Sequence, residues 1–161
     1  MASWLLQANP DDFSVDAYFS LPQIYSPYFW KFAQSNKTAC ALSGDVAFIW
    51  RAGGKQKAES GVIGVVHLVG NPEVRDLSQL KSAGLWKVRP KKGDFASVIE
   101  IEVDQMRLSR NNGMIPREIL EGHPDFISHP IFTVRQGTEF SLTDAQMKVL
   151  LAERKRRSIK K

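Results

Sequence analysis

The stretch GDVAFIWRAGG (residues 44–54) sets the frame for the rest of this sequence. A Gly-Asp turn precedes five apolar residues, 46–50, and an apolar run of this length between turn signals is typical of a buried strand. The run ends on Trp50, and the permanent cation of Arg51 and two glycines follow it. A strand that only fills a core does not need an arginine at this point. Trp50 is therefore expected either at the rim of a binding site or in the core.

Further strands are predicted on both sides of this stretch. Residues Ser3–Ala8 form a short apolar strand that an Asn-Pro turn stops. Residues 61–70 form the strand that returns after a polar hairpin connection. Apolar residues 99, 101 and 103 alternate with acidic residues 100 and 102, which predicts a strand with one wet face over 96–108. A last strand, kinked at its glycine, is predicted over 130–140.

Short helices complete the predicted pattern. Ser14 as N-cap, with Asp16 in the first turn, predicts one helix. The aromatic segment 26–36 is interpreted as a second short helix or a structured loop. A capping box at residues 143–146 begins the best-defined helix. Five or six strands with short peripheral helices indicate one α+β domain over residues 1–161, built around a curved or barrel-like sheet.

The formal net charge of +5 is concentrated in two clusters. One is the tail 154–161, for which solubility is the expected role. The other is the loop that contains Lys87, Arg89, Lys91 and Lys92. A basic balance favours a polyanion as partner, because phosphates attract cations whatever the sequence.

Residues for catalysis or metal binding do not form recognisable patterns. The three histidines share no helix at ligand spacing, and no cysteine or carboxylate cluster accompanies them, so we expect neither a metal nor a cofactor. No nucleophile elbow or phosphate-binding loop is present, and an enzyme is not expected. The single cysteine, Cys40, excludes an intrachain disulfide; with no apparent signal peptide or membrane span, it predicts a cytoplasmic protein.

The remaining chemistry is that of aromatic side chains close to cations. Trp4 lies in a predicted strand and is assigned to the core. Trp30 lies in a short irregular segment, Trp50 precedes Arg51, and Trp86 precedes the basic loop. Aromatic faces flanked by Lys and Arg are what the binding of an unstacked nucleobase requires. The sequence therefore predicts nucleic-acid binding.

Five segments, in order along nearly the whole chain, resemble an EVE domain of the PUA-like superfamily, and more distantly the YTH domain. They are WLLQANPDDF, FWKF, GDVAFIWRAGG, GVIGVVHLVGNP and VRQGTEFSLTDAQMKVLL. The resemblance implies a PUA-like, strongly curved five- or six-stranded β-barrel with helices outside. It implies a reader that holds a flipped-out modified base, such as 5-methylcytosine or 5-hydroxymethylcytosine in DNA, without converting it.

The resemblance also assigns roles to individual residues. Trp30 is implied as a wall of an aromatic cage, with Trp50 at the end of a lining strand and Trp86 as the candidate second wall. Asn9 and Gln7 are implied to bond the base edge. The closing segment contributes the pair Gly137 and Thr138. Phosphate contacts are expected from Arg51, Lys55, Lys87, Arg89, Lys91 and Lys92, although Lys55 and Lys57 equally fit a solubilising role.

Four functions stay open on the sequence alone. A reader of modified DNA stands beside a reader of a modified base in RNA such as tRNA, and no 2′-hydroxyl contact separates the two. A third possibility is an enzyme or a non-catalytic subunit of a nucleic-acid-processing enzyme, with a nuclease or restriction component as partner. It predicts an ionisable group with a perturbed pKa in the pocket, and His67 is its candidate. The fourth is a small-molecule or protein-interaction module, whose binding would hardly change with salt.

Overall fold

The computed structural model describes residues 2–32, 44–53, 59–133 and 139–157, and within them seven strands join one mixed sheet. The strands are β1 (Ser3–Ala8), β2 (Tyr28–Lys31), β3 (Val46–Arg51), β4 (Gly61–Asp76), β5 (Phe95–Met106), β6 (Ile115–Pro116) and β7 (Glu139–Ser141). The helices are α1 (Val15–Ser20), α2 (Pro22–Tyr25), α3 (Arg117–Glu121) and α4 (Asp144–Arg156). Short 3₁₀ turns occupy Leu77–Gln79, Lys81–Leu85, Arg110–Asn112, Pro124–Phe126 and Pro130–Phe132. No helix in these ranges is long and apolar enough to cross a membrane.

The strand order confirms the predicted α+β class, with one difference in closure. The order is β2-β5-β4-β3-β1-β7, and β6 pairs with β4. β1 and β3 run parallel, whereas the other pairs are antiparallel. Over the described residues, β2 and β7 end the sheet and are not paired with each other, so the sheet is open rather than a closed barrel. The described sheet has seven strands where five or six were predicted, and β6 and β7 have only 2 and 3 residues.

The opening stretch forms the inner strand β3, which is buried along almost its whole length. Because adjacent strand residues point to opposite faces, Ala47 and Ile49 pack in one core, and Phe48 and Trp50 pack in a second. The Asp45 carboxylate fixes the start of the strand, because it accepts a hydrogen bond from the Trp4 indole nitrogen at 3.2 Å. Because the side chains of β3 pack in two cores, the sheet is covered on both faces.

The return strand β4 approaches a neighbouring strand so closely that a side chain would not fit. A Cβ at Gly61 would collide with the backbone carbonyl oxygen of Ile115. Gly61 and Pro116 are paired in the sheet, so the collision could be relieved only by separating β4 from β6. Glycine is required here by this close approach of two backbones.

Two predicted segments are wrong in type. Residues 28–31, expected within a helix or loop, form β2: Tyr28 and Trp30 point into the core, and Phe29 and Lys31 lie on the outer side. The alternation was hidden because three of these four residues are aromatic. The strand expected over 130–140 starts as the 3₁₀ turn Pro130–Phe132, and among its described residues the strand part belongs to β7.

Both helices that were predicted from an N-cap residue begin after that residue, although the Ser14 side chain forms no capping hydrogen bond. α1 follows Ser14 and α4 follows Thr143, whose hydroxyl accepts from the Gln146 backbone N–H while the Gln146 side chain accepts from the Thr143 N–H. Leu150 of α4 is fully buried in the second core. α1 contributes to the first core. α4 continues to Arg156, so the beginning of the basic tail is helical.

Candidate functional site

A cavity of about 300 Å³ opens beside the C-terminal end of β1. It lies on the first-core side of the sheet, between β1 and the edge strand β2, and the turn region before β5 covers it. The lining residues are Gln7, Ala8, Asn9, Asp12, Phe13, Phe29, Trp30, Lys31, Leu77, Leu80, Ser82, Trp86 and Val98. Four of the seven predicted pocket residues are thus brought together.

The walls of the cavity are aromatic. Trp30 is 5% exposed and stacks on Phe19 behind it, with ring centroids 5.9 Å apart and planes 13° from parallel. Trp86 is half-buried and packs against Phe13 at 4.7 Å. The two tryptophans come from elements far apart in sequence, and each is held by a second ring. Both predicted aromatic walls therefore have a fixed position.

Tyr18 holds the strand that carries Trp30. Its hydroxyl accepts a hydrogen bond from the Phe29 N–H at 2.8 Å and donates one to the Phe29 carbonyl at 3.0 Å. Burial raises the pKa of the Tyr18 hydroxyl well above its usual range, so the hydroxyl stays protonated and serves both bonds. Tyr18 was not predicted from the sequence as a functional residue. The only indication was that an aromatic residue lies on the buried side of α1.

Polar groups border the cavity at the end of β1. Asn9 accepts a hydrogen bond from the Asp11 N–H at 3.0 Å, which shapes the turn. The Gln7 side-chain oxygen is buried and has no hydrogen-bond partner in the described part of the chain. Asp12 adds an exposed carboxylate to the lining; it was not predicted from the sequence, because its place in a proline turn seemed to explain it. This side of the cavity therefore has one carboxylate and two side-chain amides, which carry both donors and acceptors.

The basic loop begins immediately after Trp86. Lys87, Arg89, Lys91 and Lys92 are all exposed. The Lys87 N–H donates to the Asp12 carbonyl at 2.8 Å, which ties the loop to the cavity rim. Asp76 accepts from the Gly93 N–H at 2.9 Å, and hydrogen bonds from Ser78 first, then from Gly93, lower the pKa of its carboxyl group. The cations thus project from an anchored loop beside the cavity.

The structure places Trp50 and Arg51 elsewhere. Trp50 is 1% exposed and packs edge-on against Phe132 in the second core, so of its two expected positions the core is the observed one. Arg51 was expected to face phosphate, but it is 3% exposed, and its Nη1 donates to both carboxylate oxygens of Asp16 at 2.7 and 2.9 Å. Its Nε donates to the Glu59 carbonyl. This arginine links β3 to α1.

Three predicted contacts, Lys55, Gly137 and Thr138, lie outside the described residues, as does Lys57. His67, the candidate of the enzyme hypothesis, lies on β4 and does not line the cavity. Its Nδ1 is 2.8 Å from an Asp104 carboxylate oxygen. The ionisable side chains among the described lining residues are Asp12 and Lys31.

Solved structures with the same architecture cover nearly the whole chain. Human THYN1 protein in complex with 5-methylcytosine-containing DNA superposes with a TM-score of 0.64 at 17% identity, over 96% of this chain and 98% of the other. The chain has the EVE-type, PUA-like fold.

Two further structures share this EVE-type fold. The DUF55 domain of human thymocyte nuclear protein 1 has a TM-score of 0.57 at 17% identity, over 94% of this chain and 98% of its own. Rpa0253 from Rhodopseudomonas palustris has a TM-score of 0.58 at 13% identity, over 95% and 92%. No protein-family model and no curated protein matches the sequence.

Proposed function

We propose that this protein is a non-catalytic reader of DNA that holds an unstacked 5-methylcytosine in the cavity between Trp30 and Trp86. The observation that carries the proposal is the cavity itself, in which these two tryptophans meet the polar end of β1. Base–aromatic stacking contributes about 1–3 kcal/mol per base. A volume of about 300 Å³ is at the small end of ligand sites, as a single base requires.

The polar lining favours a base with an amino group. Asp12 presents carboxylate oxygens, which accept hydrogen bonds from the N4 amino group of cytosine. Thymine carries a carbonyl oxygen at the same position, and two acceptors repel each other. The apolar rings around the cavity are compatible with a 5-methyl group. 5-Hydroxymethylcytosine adds a hydroxyl, which would need a further polar partner.

The exposed basic loop supports a nucleic acid rather than a free base as ligand. Extruding a base from a duplex costs a few kcal/mol. Lys87, Arg89, Lys91 and Lys92 are exposed on the loop beside the cavity, and the proposal assigns the flanking phosphates to them. That human THYN1 protein was solved with 5-methylcytosine-containing DNA supports the same ligand class for this fold.

The first test is a tryptophan-fluorescence titration at fixed salt with matched oligonucleotides. Each is prepared as DNA and as RNA, with cytosine, 5-methylcytosine or 5-hydroxymethylcytosine at one position. The proposal expects quenching at the lowest concentration by 5-methylcytosine DNA. Trp4 and Trp50 are buried away from the cavity, so the response belongs to Trp30 and Trp86.

The matched variants are Trp86→Ala and Phe95→Ala, the second of which removes an exposed aromatic ring outside the cavity. Trp86→Ala should weaken 5-methylcytosine binding about tenfold or more, because one stacking face is lost. Phe95→Ala should leave it unchanged. Preference for the RNA series would replace the DNA proposal, and equal salt-sensitive binding of all oligonucleotides would reduce the function to a basic surface.

A further inference from the structure

A second group of cations surrounds a cleft at the opposite end of β5 from the cavity. The cleft has a volume of about 270 Å³, and its lining residues are Gln105, Arg107, Leu151, Arg154 and Lys155. The strand connects the two places, because Val98 lines the first cavity and Arg107 follows the end of β5. At about 3.3 Å per strand residue, Val98 and Arg107 lie roughly 30 Å apart along the chain.

Arg107 is buried to a degree that is unusual for a charged residue. It is 8% exposed, and its Nη1 donates to the carbonyl oxygens of Arg154 at 2.8 Å and Arg157 at 3.4 Å. It therefore satisfies free carbonyls at the C-terminal end of α4. Its Nε–H has no partner within the described residues. An unpartnered buried donor costs about 1–3 kcal/mol, more when it is charged.

No carboxylate is among the described residues that line the cleft. Within the described ranges, no carboxylate forms an ion pair with Arg107, Arg154 or Lys155. Asp104 is near enough to act on Arg154 in the opposite direction, although its carboxylate contacts Nδ1 of His67, at 2.8 Å, and none of the three cations. Burial, and then the neighbouring charge of Arg107, lower the pKa of Arg154. An anion in the cleft would relieve the repulsion between the guanidinium groups of Arg107 and Arg154.

We propose that this cleft binds a phosphate group, with Arg107 and Arg154 as the hydrogen-bond donors and Lys155 as the third positive charge. Guanidinium groups match phosphate oxygens in geometry, and lysine adds a point charge. A phosphate also offers more negative charge and more acceptor oxygens than a carboxylate does. The group is either a phosphodiester of bound nucleic acid or a free phosphate.

The test uses the full chain and inorganic phosphate as the probe. The arginine Nε–H resonances are followed by ¹⁵N NMR while phosphate replaces chloride at constant ionic strength. We expect saturable shifts for Arg107 and Arg154. Arg156 is the internal control, because it is exposed and paired with Glu153. The absence of shifts, or the same gradual drift at all arginines, would contradict the site.

Three variants separate binding from folding. Arg154→Gln and Lys155→Gln should each weaken the phosphate response of Arg107 severalfold, and Arg156→Gln, on the same helix, should not. Two variants are used because Arg154 is partly buried, whereas Lys155 is exposed and its replacement leaves packing intact. If the phosphate response of Arg107 is unchanged in a folded Lys155→Gln protein, Lys155 does not contribute to the site. An unchanged response in both variants would overturn it.

Duplexes of two lengths identify the source of the phosphate. A duplex of about 24 base pairs reaches both places, whereas one of about 6 base pairs does not, since each strand advances about 3.4 Å per phosphate. If Arg154→Gln weakens only the long duplex, by about threefold to tenfold, the group is a phosphodiester. If Arg154→Gln changes the affinity of neither duplex while inorganic phosphate still binds, the group is a free phosphate. Failure of both duplexes to bind the unsubstituted chain would contradict the proposed function, not this site.

Discussion

Arg51 shows how one buried charge determines the packing around it. Its guanidinium contacts Asp16, the Glu59 carbonyl and the Met114 sulfur, so one side chain joins three parts of the chain to the end of β3. The arginine after the apolar run is therefore explained by the fold. It does not need a ligand.

Removing the counter-charge should expose this dependence. Asp16→Ala is expected to lower the free energy of unfolding by about 2 kcal/mol, because a buried guanidinium loses its carboxylate and water replaces it only in part, Asp16 itself being 54% exposed. Urea denaturation measures the change. Glu73→Ala removes the carboxylate of an exposed pair with Arg75 and should cost less than about 1 kcal/mol. If Asp16→Ala and Glu73→Ala lower the free energy of unfolding equally, a structural role for Arg51 is contradicted.

Asp12 is the residue that is expected to select which base the cavity binds. Asp12→Asn replaces a pure acceptor with an amide that also donates, so it should narrow the preference for 5-methylcytosine over thymine. The measurement compares single-stranded oligonucleotides that differ only in that base. Asp11→Asn, at a neighbouring carboxylate outside the cavity lining, is the control and should keep the preference. A preference that survives Asp12→Asn unchanged would assign base selection to other groups.

At the scale of elements, the position of β2 depends on a side chain rather than on a second strand. β2 pairs only with β5 in the described sheet, and the Tyr18 hydroxyl takes both backbone groups of Phe29 on the other side. Tyr18→Phe should therefore destabilise the fold by about 1–3 kcal/mol and weaken base binding, since β2 carries Trp30. Amide exchange at Phe29 and oligonucleotide affinity report the two effects.

Tyr25→Phe is the matched control for this prediction. Tyr25 packs against Tyr18 with ring centroids 5.7 Å apart, and its hydroxyl has no hydrogen bond to any described residue. Tyr25→Phe should leave amide exchange at Phe29 and oligonucleotide affinity unchanged. Faster exchange at Phe29 in both variants would show that ring packing, not the Tyr18 hydroxyl, holds the strand.

The elements also show what the sequence could predict. Strands with clear turn signals, such as β1 and β3, and helices with clear caps, such as α4, were predicted from local chemistry. β2 was not, because its alternation is invisible when nearly every residue is aromatic.

Which tryptophan lines the cavity could not be derived from local pattern either. β3 is buried on both faces, so its apolar run does not tell whether Trp50 faces a core or a ligand. Trp30 belongs to the first core as well as to the cavity wall. Replacing it with alanine would therefore disturb packing and binding together, which is why Trp86 is the sharper probe.

For the whole molecule, the net charge of +5 should govern affinity but not selectivity. Charge reversal at Lys91 and Lys92 is expected to weaken methylated and unmethylated DNA about equally. Each phosphate contact that is lost should reduce the slope of log affinity against log salt by about 0.9. Titrations at several salt concentrations measure it. A change in the preference for the modified base would contradict the separation of loop and cavity.

The parallel pairing of β1 with β3 has a consequence for the time at which the protein becomes functional. The chain must cross back over the sheet between these two strands, and α1, α2 and β2 lie on that crossing. β2 then pairs with β5, which is synthesised much later, and Trp86 lies just before β5. Long-range pairings of this kind form slowly. On the proposed function, a nascent chain therefore cannot bind a base until β5 has left the ribosome, and ligand would stabilise only the finished molecule.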